Sequence, residues 1–392
     1  MISNLVQSTY NAVDMLFVGR FTGTESLAAV SVCGPILNVM IITLSGMSAG
    51  VLVVISGLLG AGDIKQAQDA AHTSVALYAL MAAVMTVLGL LFVPQILRLV
   101  QTPAAAMPEA KRYLYTVFAG TVFTFGYNLI GALQRGLGNA AASMSFVIIS
   151  SAANIALDAV FIVWLGMGAF GAALGTVLSQ VAAFVIGTVQ LARGGAALRL
   201  SARAVRFHKK HLKNILLFGV PTALNEVMVN LAMLTVSGVA NSFGLASSAA
   251  YGVGSRINSL AIFTDGAMNQ TMSAYASQNI GAGRQKRALE GLWKAIILSA
   301  GAALGTSLLV LGFASEFSAC FDSDPAVIEQ SAAFLRVTVW SYPLFATVGP
   351  LIGFIRGTGN VEASLLVGVV AQLCCRVPAS FLFSRWMGFP GV

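Results

Sequence analysis

Apolar runs of 18 or more residues recur along the whole of this chain, and they leave very few folds open. A run of that length crosses a hydrocarbon core of about 30 Å as a helix. Inside lipid every backbone N–H and C=O has to find its partner within the protein, so repeated spans of this kind mean a helical bundle. Hydrophobic residues make up 57% of the chain and charged ones 9%, against roughly a quarter charged in a soluble domain. The expected fold is therefore an all-α polytopic membrane protein. The forty glycines fit that fold, because small residues let membrane helices approach closely. No cleavable signal, transit peptide or soluble domain is expected.

Helices are predicted at 1–21, 25–58, 70–99, 113–134, 140–165, 170–193, 213–242, 246–279, 288–315, 331–354 and 361–386, eleven in all, the first one short. Basic residues then orient them. One set of loops carries Lys65, Arg135, Arg193, Arg199, Arg203, Arg206, Lys209, Lys210, Lys213, Arg284, Lys286, Arg287, Lys294 and Arg356. The opposite set carries Arg20, Arg98, Lys111, Arg112, Arg336 and Arg385. Fourteen against six places the first set in the cytoplasm. Basic loops beside a membrane also account for the net charge of +8, so no nucleic-acid partner is expected.

The chain repeats itself at an offset of 221 residues. Gly60-Ala61-Gly62 returns as Gly281-Ala282-Gly283, and Arg135-Gly136-Leu137-Gly138-Asn139 as Arg356-Gly357-Thr358-Gly359-Asn360. The same register pairs Asn4 with Asn225, Ala28-Ala29 with Ala249-Ala250, and Ala142-Ser143 with Ala363-Ser364. Six helices per half is an even number, so both halves begin on the same side and form parallel repeats. The expected domains are a first lobe at 1–193, a basic cytoplasmic linker at 194–212 that includes an amphipathic stretch, and a second lobe at 213–392. Measured against a twelve-helix plan, the start of helix 1 and all of helix 12 are missing, so the chain reads as clipped at both ends.

Of the fourteen acids, four fall inside predicted spans: Asp14, Asp158, Glu226 and Asp265. A charge at that depth costs about 2.5 to 3.5 kcal/mol even on mild scales, so each must face a polar cavity or another helix. Gln7, Tyr10, Asn11 and Asp14 share one helical face, and Asn154 and Asp158 share another. If helices 1 and 5 pack together, Asp14, Asn154 and Asp158 form a cluster of two carboxylates and an amide. Such a cluster can hold a proton, can hold Na⁺ through its oxygens, or can act as a hydrogen-bonded packing device. Glu226 and Asp265 either line a path through the second half or pair with Arg256 or Arg376. None of the four acids is repeated at the 221 offset. That asymmetry favours function over scaffold.

Tyr10-Asn11-Ala12-Val13-Asp14-Met15-Leu16-Phe17-Val18-Gly19, the two Gly-Ala-Gly turns and the paired Arg-Gly-x-Gly-Asn turns resemble the multidrug and toxic compound extrusion (MATE) family over essentially the whole chain. The resemblance implies a two-lobed, monomeric exporter of small organic, often cationic compounds. It would be driven by inward H⁺ or Na⁺, would need no other cofactor, and would sit in the cell membrane. It assigns cation coupling to Asp14, Asn154 and Asp158; the polar face of Gln7, Tyr10 and Asn11, with Glu226 and Asp265 in the second half, is the expected substrate path. Some members carry an acid on helix 10, whereas Ser341 to Phe354 holds none. A lipid-linked precursor flippase of related build is the alternative, although only Arg256 and Arg376 offer it a basic cavity. An enzyme is not expected. Cys33, Cys320, Cys374 and Cys375 lack metal or redox spacing and read as small buried residues. His72, His208 and His211 fall at helix ends or in the basic loop and form no catalytic set.

Overall fold

A computed structural model describes residues 17–193, 198, 200–322 and 324–392, the side chains of 202 and 259–264 excepted. Among them, residues 17–21 are helical and are followed by α1 (Thr24–Gly60), α2 (Ile64–Leu99), α3 (Met107–Gly136), α4 (Ala140–Asp158) and α5 (Gly168–Arg193). After the linker come α6 (Lys209–Asn241), α7 (Leu245–Gly281), α8 (Gln285–Ala319) and α9 (Pro325–Thr338). The chain closes with α10 (Tyr342–Phe345), α11 (Val348–Gly357), α12 (Val361–Val369) and α13 (Val377–Met387). Nine helical stretches among the described residues are long and apolar enough to cross a membrane. The 37-residue α7 is not one of them; it carries Arg256, Asn258, Asp265, Asn269 and Gln270 in its middle.

The duplication seen in sequence reappears as helix boundaries. Thr24 and Leu245, Gly60 and Gly281, Ile64 and Gln285, Gly136 and Gly357, and Ala140 and Val361 are terminal residues of corresponding helices, each pair 221 apart. The punctuation is physical. Gly62 and Gly283 take φ of 75° and 71°, and Gly138 and Gly359 take 79° and 95°, in the left-handed region that glycine reaches without a Cβ penalty. Asn139 Oδ1 accepts the Ala142 N–H at 3.1 Å, and Asn360 Oδ1 accepts the Ala363 N–H at the same distance. These are matched N-caps, each satisfying one orphan donor of a helix start.

The chain forms two compact units, Ile2–Gly219 and Val220–Val392, with the boundary inside α6. In the first, Ile55, Leu133 and Phe146 lie in one core, and Leu114, Phe118 and Ile162 in another. The opening turns of α6 lie against α1 at close range. A Cβ on Gly50 would come within 2.5 Å of the Ile215 carbonyl oxygen and 2.9 Å of the Gly219 nitrogen. In the second unit Val253, Ile257, Phe334, Leu335 and Tyr342 form the main core.

Three spans depart from the regular helices expected. Residues 159–164 and 370–376 widen into π turns, the second just ahead of Pro378, whose missing N–H cannot join the regular ladder. The span expected at 331–354 is interrupted. A 3₁₀ turn at Val339–Ser341, the short α10 and the bend at Ala346–Thr347 separate α9 from α11. Pro343 and Pro350 remove two backbone donors across this stretch, and the residue before a proline is turned away from helical geometry. Helices also start several residues earlier than the apolar runs, as α2 does at Ile64, because polar first turns are capped from Asp63. Only Cys33 of the four cysteines is buried. Cys320, Cys374 and Cys375 are exposed, as are Trp293, Ile297, Leu304 and Leu308 on one side of α8, where lipid takes the place of a protein core.

Candidate functional site

Gln7, Tyr10, Asn11 and Asp14 lie outside the described residues, so the geometry begins with their expected partners. Asn154 and Asp158 stand one turn apart on α4, 1% and 0% exposed. Asn154 Nδ2 donates to Asp158 Oδ1 at 3.5 Å, a long bond. Helix α5 makes room for the acid by omission. A Cβ on Gly175 would sit 2.3 Å from Asp158 Oδ1, so only a bare backbone fits. Asp158 is also the last α-helical residue before the π turn of 159–164. Such turns displace the helix ladder and recur at functional sites. Asn154 Oδ1 is buried and has no hydrogen-bond donor among the described residues. The pair therefore offers oxygens to a cation or a proton at a point sealed from bulk water.

The second unit carries a different polar set. Asp265 Oδ1 accepts the Gly349 N–H at 2.6 Å. Gly349 is the second residue of α11, so the carboxylate of α7 caps the helix start created by the broken span, where the helix dipole favours negative charge. Gly349, Gly353 and Gly357 form a ridge that faces Asp265, Asn269 and Ser273. Their Cβ atoms would come within 2.3 Å of Asp265 Oδ1, 2.2 Å of the Asn269 carbonyl oxygen and 2.8 Å of the Ser273 carbonyl oxygen. This is small-residue packing of membrane helices at close approach.

Arg356, 5% exposed, donates from Nη1 to Asn269 Oδ1 at 3.0 Å, while its Nε finds no acceptor among the described residues. It interacts electrostatically with Glu226 on α6, and Glu226 in turn with Asp265. Neighbouring Asn225 presses its side chain onto Gly368 of α12. The acids thus pair with neither Arg256 nor Arg376 within 4 Å among the described residues; Arg376 instead donates to Gln372 Oε1 at 3.3 Å. Arg356 and Asn269 are the residues that sequence reasoning passed over. Arg356 served there as a loop charge and as the twin of Arg135 in the repeated turn, and that recurrence was a usable signal for a placed side chain. Arg135 is half-buried in its helix bundle and donates to Ser143 Oγ at 3.2 Å. Near the far end of α6 a cavity of about 840 Å³ is bordered by Thr235, Val239, Ser242, Phe381, Ser384 and Arg385.

Spanning helices broken at π turns and prolines, with carboxylates and a guanidinium inside them, define a multi-pass membrane protein of the transporter class. The MatE family model matches residues 1–160 and 221–382, one match in each half of the repeat, and the chain belongs to this family. Among curated relatives, YpnP of Bacillus subtilis (strain 168), described as a probable multidrug resistance protein, is 26% identical over 100% of this chain and 88% of its own length. The multidrug export protein MepA of Staphylococcus aureus (strain N315) is 22% identical over 100% of this chain and 86% of its own length. A MATE crystal structure in complex with MaD3S superposes with a TM-score of 0.94 at 25% identity, covering 100% of this chain and 88% of that one. A MOP superfamily transporter from Pyrococcus furiosus, whose reversed pocket polarity suggests a different function for it, gives a TM-score of 0.91 at 25% identity with the same coverage.

Proposed function

We propose that this chain is a secondary active multidrug exporter. It moves small organic, often cationic compounds outward by alternating access between lobes at 1–193 and 213–392, against H⁺ or Na⁺ moving inward. It acts as a monomer and needs no cofactor beyond the coupling ion. Asp158 carries the reading: a carboxylate with no exposed surface, inside a spanning helix, held by an amide and fitted against a bare glycine. A packing device would be cheaper to build from apolar side chains, since a charge at that depth costs about 2.5 to 3.5 kcal/mol. A coupling site has to accept that cost. Each charge crossing with the gradient supplies about 2.3 kcal/mol per 100 mV. Uptake of a proton removes the charge that demanded polar surroundings and lets the helix repack, which biases one lobe arrangement over another.

For Na⁺, the carboxylates of Asp14 and Asp158 and the amide oxygen of Asn154 would supply the ligands, consistent with an Asn154 Oδ1 that has no donor among the described residues. Gln7, Tyr10, Asn11 and Glu226 are assigned to the substrate path. Asp265 is assigned there as well, alongside its capping of α11.

The test is efflux of a fluorescent organic cation from proteoliposomes under imposed pH or Na⁺ gradients. Gradient-driven transport abolished by Asp158→Asn and by Asp14→Asn, with both variants folded, supports the assignment and names the ion. Unchanged transport in Asp158→Asn overturns its coupling role. Tight binding of a lipid pyrophosphate with no cation transport under either gradient would move the chain to the flippase class.

A further inference from the structure

Two histidines far apart in sequence, His72 on α2 and His208 on the linker, take part in the contacts that dock the segment joining α5 to α6 onto the first turns of α2, and His211 lies beside His208. Leu198, 2% exposed, plugs into the core that contains Ala67, Ala70 and Ala71. Three residues later the Ser201 N–H donates to His72 Nε2 at 3.3 Å. The segment then wraps Thr73. The Thr73 hydroxyl donates to the Asp69 carbonyl oxygen at 2.8 Å, accepts the His208 N–H at 3.2 Å and lies 3.1 Å from His208 Nδ1. On the other edge of that ring Arg206 Nε donates to His208 Nε2 at 3.0 Å. Lys210 Nζ donates to Gln66 Oε1 at 2.8 Å and closes the contact.

These bonds specify a protonation state. His72 Nε2 and His208 Nε2 both act as acceptors, which an imidazole does only when neutral. His208 then carries its proton on Nδ1 and donates it to the Thr73 hydroxyl. Protonation of His72 deprives the Ser201 N–H of its acceptor and places a charge in a site only 4% exposed. Protonation of His208 turns Nε2 into a donor, which replaces the Arg206 bond within the linker by a contact with Asp69 on α2, whose Oδ1 is 3.6 Å away, so it is His72 alone whose protonation removes a tie between the linker and α2. The other charged and titratable groups facing the cluster are Asp63 and Asp69 on α2, Arg206 on the linker, and Lys210 and His211 on α6. The His211 ring stacks edge-on to His208 at 6.0 Å, and its buried Nδ1 has no partner among the described residues. Arg206, Lys210 and His211 oppose added positive charge at the cluster, and Asp63 and Asp69 favour it.

We propose that His72 is a second proton-binding site, separate from the intramembrane acids, whose neutral Nε2 latches the linker to α2 through the Ser201 N–H and whose protonation frees residues 200–206, while residue 208 stays tied to Thr73 and Asp69. By the distribution of basic loops this face is the cytoplasmic one, so the latch responds to acidification of the cell interior. It is independent of which ion or substrate the transporter uses.

Hydrogen exchange read by mass spectrometry on the full-length protein tests it, following peptides that cover 198–209 at pH 8.0 and pH 5.5, with rates corrected for intrinsic pH dependence. Loss of the Ser201 N–H acceptor at the lower pH removes one hydrogen bond, so protection of these peptides should fall about five- to tenfold, while peptides from α3 stay unchanged. His72→Gln with His208→Gln keeps uncharged acceptors at both places and should hold protection constant across the same pH range. His72→Phe should lower protection at both pH values. Equal corrected protection at both pH values in the native chain, or a native pH response that survives in the double Gln variant, overturns the proposal. Neither outcome touches the exporter reading, because no transport is measured.

Discussion

Replacing Asp265 separates a cap from a substrate-path residue. The carboxylate accepts the Gly349 N–H at 2.6 Å, and Gly349 follows directly on the break between α10 and α11, so no turn of its own helix can satisfy that donor. Asp265→Ala removes the acceptor and leaves the N–H unpaired beside a close-packed helix, and a hydrogen bond to a charged group is worth about 1.5 to 3 kcal/mol. Loss of an N-cap costs about 1 kcal/mol on its own. A loss of about 2 kcal/mol follows for Asp265→Ala. Asp265→Asn keeps an oxygen in the same place without the charge, and neutral bonds are about half as strong, so about 1 kcal/mol is lost. Thermal unfolding of the purified protein in detergent should rank native above Asn above Ala, with steps of a few degrees. Proteoliposome efflux run on the same samples asks the second question. If Asn keeps both fold and transport, the acid is a cap alone. If Asn keeps the fold and loses transport, Asp265 belongs to the substrate path as well. An Ala variant as stable as the native protein would refute the capping argument.

The glycine ridge gives a matched pair of stability tests. Gly353→Ala places a Cβ 2.2 Å from the Asn269 carbonyl oxygen, and the helices must separate at a cost of about 1 to 3 kcal/mol, whereas Gly301→Ala on α8 meets nothing within 4 Å and should leave stability unchanged or raise it by up to about 1 kcal/mol. Unfolding midpoints of the two variants check this, and equal midpoints would mean α7 and α11 are not held as close as described. Asn139→Ala and Asn360→Ala remove caps of the same geometry, so each should cost about 1 kcal/mol, and unfolding midpoints that differ widely between the two would show that the repeated turns are not energetically equivalent.

The membrane class, the helical architecture and the duplication were all legible in the residues. Apolar length decides spanning, backbone hydrogen bonding in lipid decides helix, and a shared offset decides the repeat. The offset was accurate enough that helix ends such as Gly60 and Gly281, or Ala140 and Val361, fall where it puts them. Of the expected site, Asn154 and Asp158 do share a face, as i and i+4 residues of any helix must. The interruption at 339–347 was missed because the flanking apolar residues carry a helical pattern through it. The two prolines that mark it lose their effect in a count of hydrophobicity.

What the linear pattern determined is whatever depends on neighbours along one helix: which segments span, which face of each is polar, and where turns must admit glycine. Tertiary structure decided which faces meet. Nothing in residue spacing says that Arg356 reaches Asn269, that Asp265 caps a helix start 84 residues away, or that a bare Gly175 accommodates Asp158. Nor could His72 be known to accept the Ser201 N–H, or Thr73 to meet His208, across more than 120 residues. A buried polar group has to be paired wherever the chain can bring a partner, and close packing between helices, not order along the chain, sets which partner comes within 3 Å.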